Sequence, residues 1–339
     1  MGKKTRICLY GPYPPPYGGL ATQTLSLYKQ LTKEGIIVSR INYIHKIYEI
    51  PKYLFNAIRY SIKSSVVHVI CGSYRSFFRA SLIIVVAKIF GKKVILMSEG
   101  STENFLLKHY LFVSTILKLT DIIIVYSKYL GKVFNKYGFE VKIIPDFISY
   151  KFNYRLRKNI TPTILMAKNI SSEYNYLTAI KSFQIIKNLY PNAKLIIAGE
   201  GEGDYFISLK RFIKDNKIND ITFLGSVVYE KMPELYSKAD IFLNTTNVDN
   251  FPRCILESFS AGTITVSTNV GGIPYMIKDC YNGFLVKPNC HEETAMKIIY
   301  ILKHPKLAEK VSYQARMDFE NKYTWDRLKD QYISLYNSE

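Results

Sequence analysis

A chain of 339 residues exceeds what one ordinary hydrophobic core supports, so two domains are the expectation. The formal charge is +19, and it is uneven: residues 1–150 hold 21 Lys and Arg against 7 Asp and Glu, or +14, which leaves +5 for the remainder. The five cysteines (8, 71, 254, 280 and 290) are scattered and form no C-x-x-C, which speaks against a disulfide framework or a structural zinc site and for a reducing cytoplasm.

The chain opens on "MGKKTRICLYGP", whose apolar run before Pro12 is too short for a signal peptide. Short β-rich runs then alternate with helical patterns. In the first half the expected strands are 6–10, 37–42, 66–70, 94–97, 122–126 and 141–145. In the second they are 163–167, 193–199, 221–225, 240–244, 263–267 and 283–286. Helical periodicity covers 20–33, 174–189, 205–216 and 291–302. This alternation predicts two parallel sheets, each doubly wound. Ligands of such sheets bind at the carboxyl ends of the strands. The first strand leads into "GPYPPPYGG", where Gly18 and Gly19 would let backbone approach a ligand at a helix start; a plain tight turn is the alternative. The longest apolar run, "ASLIIVVAKIF" (80–90), is cut by Lys88 and falls short of a membrane span. Residues 148–162 are polar and basic and read as a linker. The "GEGEGD" at 199–204 fails the dinucleotide spacing because position 204 is Asp. The chain closes on a helix with Trp325, Leu328, Tyr332 and Leu335 on one side.

The stretch "NTTNVDNFPRCILESFSAG" (244–262) carries the most chemistry. Asn250 is the expected helix N-cap, Pro252 suits the first turn and Gly262 the C-terminus, giving a helix from about Phe251 to Ala261. Ile255, Leu256 and Phe259 form its apolar stripe. Glu257 lies off that stripe and leans back toward the helix start, where Asp249 also sits. An Arg253–Glu257 surface pair is the alternative, but it would not account for Asp249. Acids beside a helix N-terminus suit a ligand that carries both phosphates and hydroxyls, such as a nucleotide sugar.

The segments "AKLIIAGEGEGD", "ITFLGSV", "MPELYSKADIFLNTT", "DNFPRCILESFSAG", "TVSTNVGGIPYMI" and "NGFLVKP" occur in this order. Together they resemble the retaining glycosyltransferases of family four. The likeness is dense over about 160 to 302 and looser before it, through the glycine loop, "DIIIVYSKYL" and "IIPDFI". It implies an α/β chain of GT-B fold, with two doubly wound, Rossmann-like parallel-sheet domains facing a central cleft. Residues 1–150 would bind the acceptor and 160–310 the nucleotide-sugar donor. The helices of 311–339 are expected to pack back on the first domain.

The resemblance also implies roles. Glu257 would accept hydrogen bonds from the nucleotide ribose, and Asp249 would bond the donor sugar. Asn250 and the N–H groups near Phe251 and Arg253 would meet sugar or phosphate. Where the family has an Arg and a Lys gripping the diphosphate, this chain has Lys168, a point charge in place of a planar fork, and Tyr174, which brings no charge. Arg253 is the nearest candidate to compensate. Where members often have a catalytic His, Glu99 stands; a solvated loop acid is the alternative reading. No Asp-x-Asp pair or His cluster offers a cation site, in keeping with the metal-free and cofactor-free mechanism of the family.

The departures leave a catalytically inactive binding or scaffold protein on the same fold as an alternative. A nucleic-acid-binding protein is not expected, because the bases follow no reader motif. Three segments of the first half, 44–63, 73–93 and 106–118, mix Lys and Arg with Phe, Tyr, Leu and Ile. They suggest a cytoplasmic protein at the inner face of the membrane, acting on a saccharide or lipid-linked acceptor. The alternative is that these apolar residues pack on the sheet and leave a solvated basic rim.

Overall fold

The computed structural model describes residues 5–15, 18–43, 49–72, 74–99, 105 and 108–337. The chain divides into two compact units: Met1–Ser149 with Thr324–Glu339, and Tyr150–Tyr323. Each is a doubly wound α/β unit on a parallel sheet, as the alternation of strand and helix requires.

Unit 1 runs β1 (Arg6–Tyr10), α1 (Gly19–Lys33), β2 (Ile37–Ile41), α2 (Ile50–Lys63), β3 (Val66–Cys71), α3 (Arg75–Ile89), β4 (Lys93–Ser98), α4 (Tyr110–Lys118), β5 (Ile122–Val125), α5 (Lys128–Lys136) and β6 (Lys142–Ile143). The sheet order is β2-β1-β3-β4-β5-β6. The central strand β3 is covered on both faces, so all six of its residues are buried. The one polar side chain among them, His68, sets its Nδ1 2.7 Å from the Tyr336 hydroxyl. Tyr336 belongs to the last helix of the chain, whose Trp325, Leu328, Tyr332 and Leu335 are all buried, and the Trp325 ring lies 5.1 Å from that of Phe147, tilted by 52°.

Unit 2 runs β7 (Thr163–Met166), α6 (Tyr176–Leu189), β8 (Lys194–Ala198), α7 (Gly203–Asp215), β9 (Ile221–Gly225), α8 (Met232–Lys238), β10 (Ile241–Asn244), α9 (Arg253–Ala261), β11 (Ile264–Thr268), β12 (Phe284–Val286), α10 (His291–Lys303) and α11 (Pro305–Lys322); α12 (Trp325–Asn337) returns to unit 1. The order is β12-β11-β10-β7-β8-β9. The sheet therefore reverses direction between β7 and β10, which pair through Ile164 with Ile241 and Leu165 with Phe242.

Two expectations about boundaries are corrected. The break expected between 310 and 311 falls inside α11, which belongs to unit 2: Ser312 donates to the Gly262 carbonyl at 2.6 Å. The basic stretch 148–162 is not a solvated linker. From Tyr150 it is part of unit 2, and Arg157 is fully buried. Its guanidinium donates to the carbonyls of Tyr236 (2.7 Å), Ala239 (2.8 Å) and Ala261 (2.6 Å), which close α8 and α9. Composition pointed to water because Arg is charged. Its terminal nitrogens instead satisfy carbonyls at helix ends, with Thr263 and the nearby Asp240 carboxylate completing its surroundings. Burial pulls this guanidinium down to about 9, still charged at neutral pH.

Burial holds the His68 imidazole down at about 3, against 6.5 in an unfolded chain. Between those values the unfolded chain binds a proton that the folded one does not. Stability is therefore complete above about 6.5 and is lost as pH falls. At pH 5 the loss from this one residue is about 2 kcal/mol. The fall in melting temperature between pH 7 and pH 5 is expected to be smaller in His68→Gln than in the wild type; equal falls would remove His68 as the cause.

Candidate functional site

The strand order of the unit 2 sheet reverses between β7 and β10, and the carboxyl ends of strands at such a reversal are the general place for ligands in open α/β sheets. The loop after β7 carries Lys168 and Tyr174, and the loop after β10 carries Asp249, Asn250 and Phe251. The two loops are laced together. The Thr245 hydroxyl lies 3.0 Å from the carbonyls of both Tyr174 and Asn175, and the Asn247 N–H donates to the Glu173 carbonyl at 2.8 Å. Asn175 adopts left-handed angles, tolerable for Asn, and caps α6 through Thr178 N–H.

Glycines let the loops approach this closely. A Cβ on Gly199 would lie 1.8 Å from the Lys168 carbonyl oxygen. One on Gly272 would lie 1.8 Å from that of Asn250, and one on Gly271 2.1 Å from that of Asp249. The failed dinucleotide motif thus has a local purpose: its first glycine makes room for the Lys168 loop. The Val270-Gly-Gly turn does the same for the acid loop.

Within this frame the Lys168 ammonium forms an ion pair with the Asp249 carboxylate, both side chains being largely shielded from solvent. The ammonium also sits 4.3 Å from the centre of the Tyr174 ring, a cation–π arrangement. Burial works against its charge, but Asp249 more than offsets this and holds the ammonium above its ordinary range. Lys168 and Asp249, expected to meet different parts of a ligand, are each other's partners.

Helix α9 differs from its expected form. It begins at Arg253 with Pro252 as the N-cap residue, so Asn250 is not the cap. The residue before a proline is pushed to extended angles, which keeps Phe251 out of the helix. Its ring is buried 6.0 Å from that of Tyr323. All nine residues of α9 are buried, so there is no solvated face and no surface pair. Gly262 ends the helix at φ 68°, as expected of a left-handed C-terminal residue. The Glu257 carboxylate lies 3.0 Å from the Tyr236 hydroxyl, which also reaches the Cys254 carbonyl at 3.1 Å. A second buried hydroxyl, that of Tyr229, faces both Arg253 and Glu257; burial raises it, Glu257 raises it further and Arg253 opposes. Burial also pushes the Cys254 thiol up to about 12; Lys168 opposes this, and Asp249 and Glu257 add to it. The two acids and Lys168 therefore share one electrostatic neighbourhood around Cys254. Sequence reasoning missed Tyr229, in the turn before α8, and Tyr236, within it; Cys254 lies inside the quoted stretch 244–262 but was given no role.

Gly18, Gly19 and Glu99 belong to unit 1. Gly18 precedes α1 with extended angles and open space around it, so neither backbone nor neighbours demand a glycine there; Gly19 is the exposed first residue of the helix. Glu99 follows β4, half-buried, its N–H donating to the Cys71 carbonyl at 3.1 Å. Burial, and Glu99 beside it, push the Cys71 thiol up to about 12. Pro16, Tyr17, Gly100 and Ser101 lie outside the described residues. Among the described residues no group of three or more His, Cys, Asp or Glu is placed to hold a metal ion.

Residues 151–318, about half the chain, match the family model of glycosyl transferases group 1. The chain is 31% identical over 146 residues to an uncharacterised glycosyltransferase, MJ1607, of Methanocaldococcus jannaschii, covering 43% of this chain and 37% of that one. It is 24% identical over 179 residues to the mannosylfructose-phosphate synthase of Agrobacterium fabrum, covering 51% and 39%. The matched stretch thus spans well under half the length of either relative. In three dimensions it is similar to HepE of Anabaena, solved in complex with UDP, with a TM-score of 0.77 at 15% identity over 99% of this chain and 100% of that one. That likeness shows the GT-B fold.

Gly272→Ala is expected to destabilise the protein by about 1–3 kcal/mol, since a carbonyl oxygen cannot yield to the new methyl without moving the Asn250 loop. Gly18→Ala should leave the melting temperature unchanged. Equal thermal shifts in the two variants would contradict the close approach at Asn250.

Proposed function

The chain belongs to the glycosyl transferases group 1 family, and on that premise we propose that it moves a hexose from a nucleoside-diphosphate sugar to a saccharide or lipid-linked acceptor in glycan assembly. Transfer would proceed with retention of configuration and without metal or other cofactor. The protein would work in the cytoplasm, on the inner face of the membrane. The observation that carries the reading is the Lys168–Asp249 pair at the carboxyl ends of β7 and β10.

The chemistry follows from what each group can offer. A diphosphate arriving at these strand ends brings negative charge that competes with Asp249 for the Lys168 ammonium. Once Lys168 turns to phosphate, the Asp249 carboxylate is released to accept hydrogen bonds from sugar hydroxyls. The pair is thus a store of opposite charges that a phosphorylated sugar would divide between its two parts. Arg253, Asn250 and the N–H groups at the start of α9, beside Phe251, would add donors to the phosphate. Tyr174 holds the ammonium by its ring and contributes a hydroxyl. Glu257, oriented by Tyr236, would accept from the ribose. Charge that develops on the departing diphosphate would then be met by Lys168 and these donors in a shielded site. The leaving phosphate oxygen would take the acceptor's proton. In unit 1, Glu99 would accept from a sugar hydroxyl, and the Gly18–Gly19 backbone would admit a ligand at the start of α1.

A second reading, a binding or scaffold protein without turnover, draws support from the same pair: Lys168 is already neutralised, and Tyr174 brings no second cation. Release of nucleoside diphosphate in the presence of acceptor separates the two readings, and the anomeric configuration of the product, read by NMR, tests retention.

Lys168→Ala is expected to weaken binding of a nucleoside diphosphate by about 1.5–3 kcal/mol and to leave nucleoside binding nearly unchanged. Asp249→Asn should cut transfer while keeping, or strengthening, diphosphate binding, because it frees the ammonium. Calorimetry showing equal losses for both ligands in Lys168→Ala would take Lys168 out of the phosphate site.

Glu257→Gln is expected to weaken the nucleoside itself, by a similar amount, with circular dichroism like that of the wild type. Unchanged nucleoside affinity would remove Glu257 from the ribose.

A further inference from the structure

Helices α2, α3 and α4 share one core and cover the same face of the unit 1 sheet. Their outward sides are unusual. In α2 the residues turned to the core are Tyr53, Ala57 and Ser61, whereas Phe55, Ile58 and Ile62 are exposed, Phe55 by 63%. The apolar stripe thus faces away from the core, the reverse of the pattern of a helix packed on a sheet. In α3, Phe78, Leu82, Val85 and Ile89 form an exposed stripe three turns long, ending in Ile89 at 73%. In α4, Leu111 is 82% exposed. The three helices adjoin: the Tyr53 hydroxyl donates to the Arg79 carbonyl at 3.2 Å, and Phe78 stacks on Phe112 at 5.0 Å. The stripes therefore make one apolar face, larger than scattered surface hydrophobics would give.

The charge around this face is mostly positive; Glu49, just before α2, and Asp121, paired with Lys88 of α3 at 2.9 Å, are acids near it. Residues 50–98 hold eight Lys and Arg and no Asp or Glu. Lys52, Arg59 and Lys63 flank the α2 stripe and are exposed, as is Arg75 at the start of α3.

We propose that the outward face of α2, α3 and α4 docks on an anionic lipid surface, its apolar side chains entering the headgroup boundary and its bases meeting the lipid charge. Charge complementarity selects this occupant. A second copy seated on the same face by a two-fold axis would set these bases against each other. A neutral apolar partner would leave them without a counter-charge. No helix among the described residues is long and apolar enough to cross a membrane, so the contact is one of lying on the surface. The face belongs to unit 1 alone, and the inference stands whether or not unit 2 transfers a sugar.

The test is flotation with vesicles of phosphatidylcholine, with or without phosphatidylglycerol. The protein is expected to float with the anionic vesicles at low salt, to come off as salt rises, and to remain behind with phosphatidylcholine alone. Lys63→Glu, a reversal of two charges, should reduce partitioning by roughly thirtyfold, at about fivefold per charge. Leu111→Asp should abolish it, and both variants should keep wild-type circular dichroism and nucleoside-diphosphate affinity. A protein that stays behind with anionic vesicles at low salt overturns the proposal, as do variants that float like the wild type. Self-association in sedimentation velocity that Leu111→Asp removes would also overturn it, assigning the face to a second copy. Flotation without diphosphate binding would sink the sugar-transfer reading and leave this one intact.

Discussion

The parallel pairing of β7 with β10 is the constraint from which unit 2 follows. It reverses the direction in which the sheet grows and leaves the loops after two non-consecutive strands with no crossover between them. Everything chemical in the unit is packed into that gap: Lys168 arrives from one side and Asp249 from the other. The gap is too narrow for side chains on the neighbouring turns, which is why Gly199, Gly271 and Gly272 stand where any Cβ would strike a carbonyl oxygen. The glycines thus act through shape and carry no chemistry of their own.

Charges in this region are held in a way that costs free energy unless they are partnered. A helix buried on every side, as α9 is, would ordinarily be apolar all round; this one contains Arg253 and Glu257. Both face Tyr229, and Glu257 also faces Tyr236, so hydroxyls supply part of the solvation that water would give outside. At the other end of the helix, Arg157 gathers the closing carbonyls of α8 and α9. The site helix is therefore anchored at its C-terminus by a fixed cation and approached near its N-terminus by an acid that already has a cation of its own. Such an arrangement is preorganised, and a ligand with separate anionic and hydroxylic parts finds a complement for each.

Unit 1 shows what a shared architecture does not dictate. Its helices obey the same winding rules, yet α2 and α3 turn large apolar side chains outward. Periodicity alone does not distinguish an inward stripe from an outward one, since both repeat at helical spacing. The basic segments singled out by composition begin in residues outside the described set, at 44–48, 73 and 106–107, but their helical portions lie squarely on this face.

The sequence by itself determined the element order, the two-sheet α/β class and most strand positions to within a residue or two. Alternation and periodicity are local properties, and the hydrophobic demand of a sheet covered on both faces writes them into every strand. It also singled out Asp249 and Glu257 by their spacing about a helix start, and the family resemblance added Lys168, Tyr174 and Arg253. Only the tertiary structure decided that Lys168 and Asp249 hold each other, that α9 starts at Arg253 and is buried all round, that Arg157 is interior, and that α11 stays with unit 2. Each of these depends on which distant segments meet. Eighty-one residues separate the partners of the ion pair, and more than a hundred separate Arg157 from the carbonyl of Ala261. Contacts at that range are set by strand order, which no local pattern encodes.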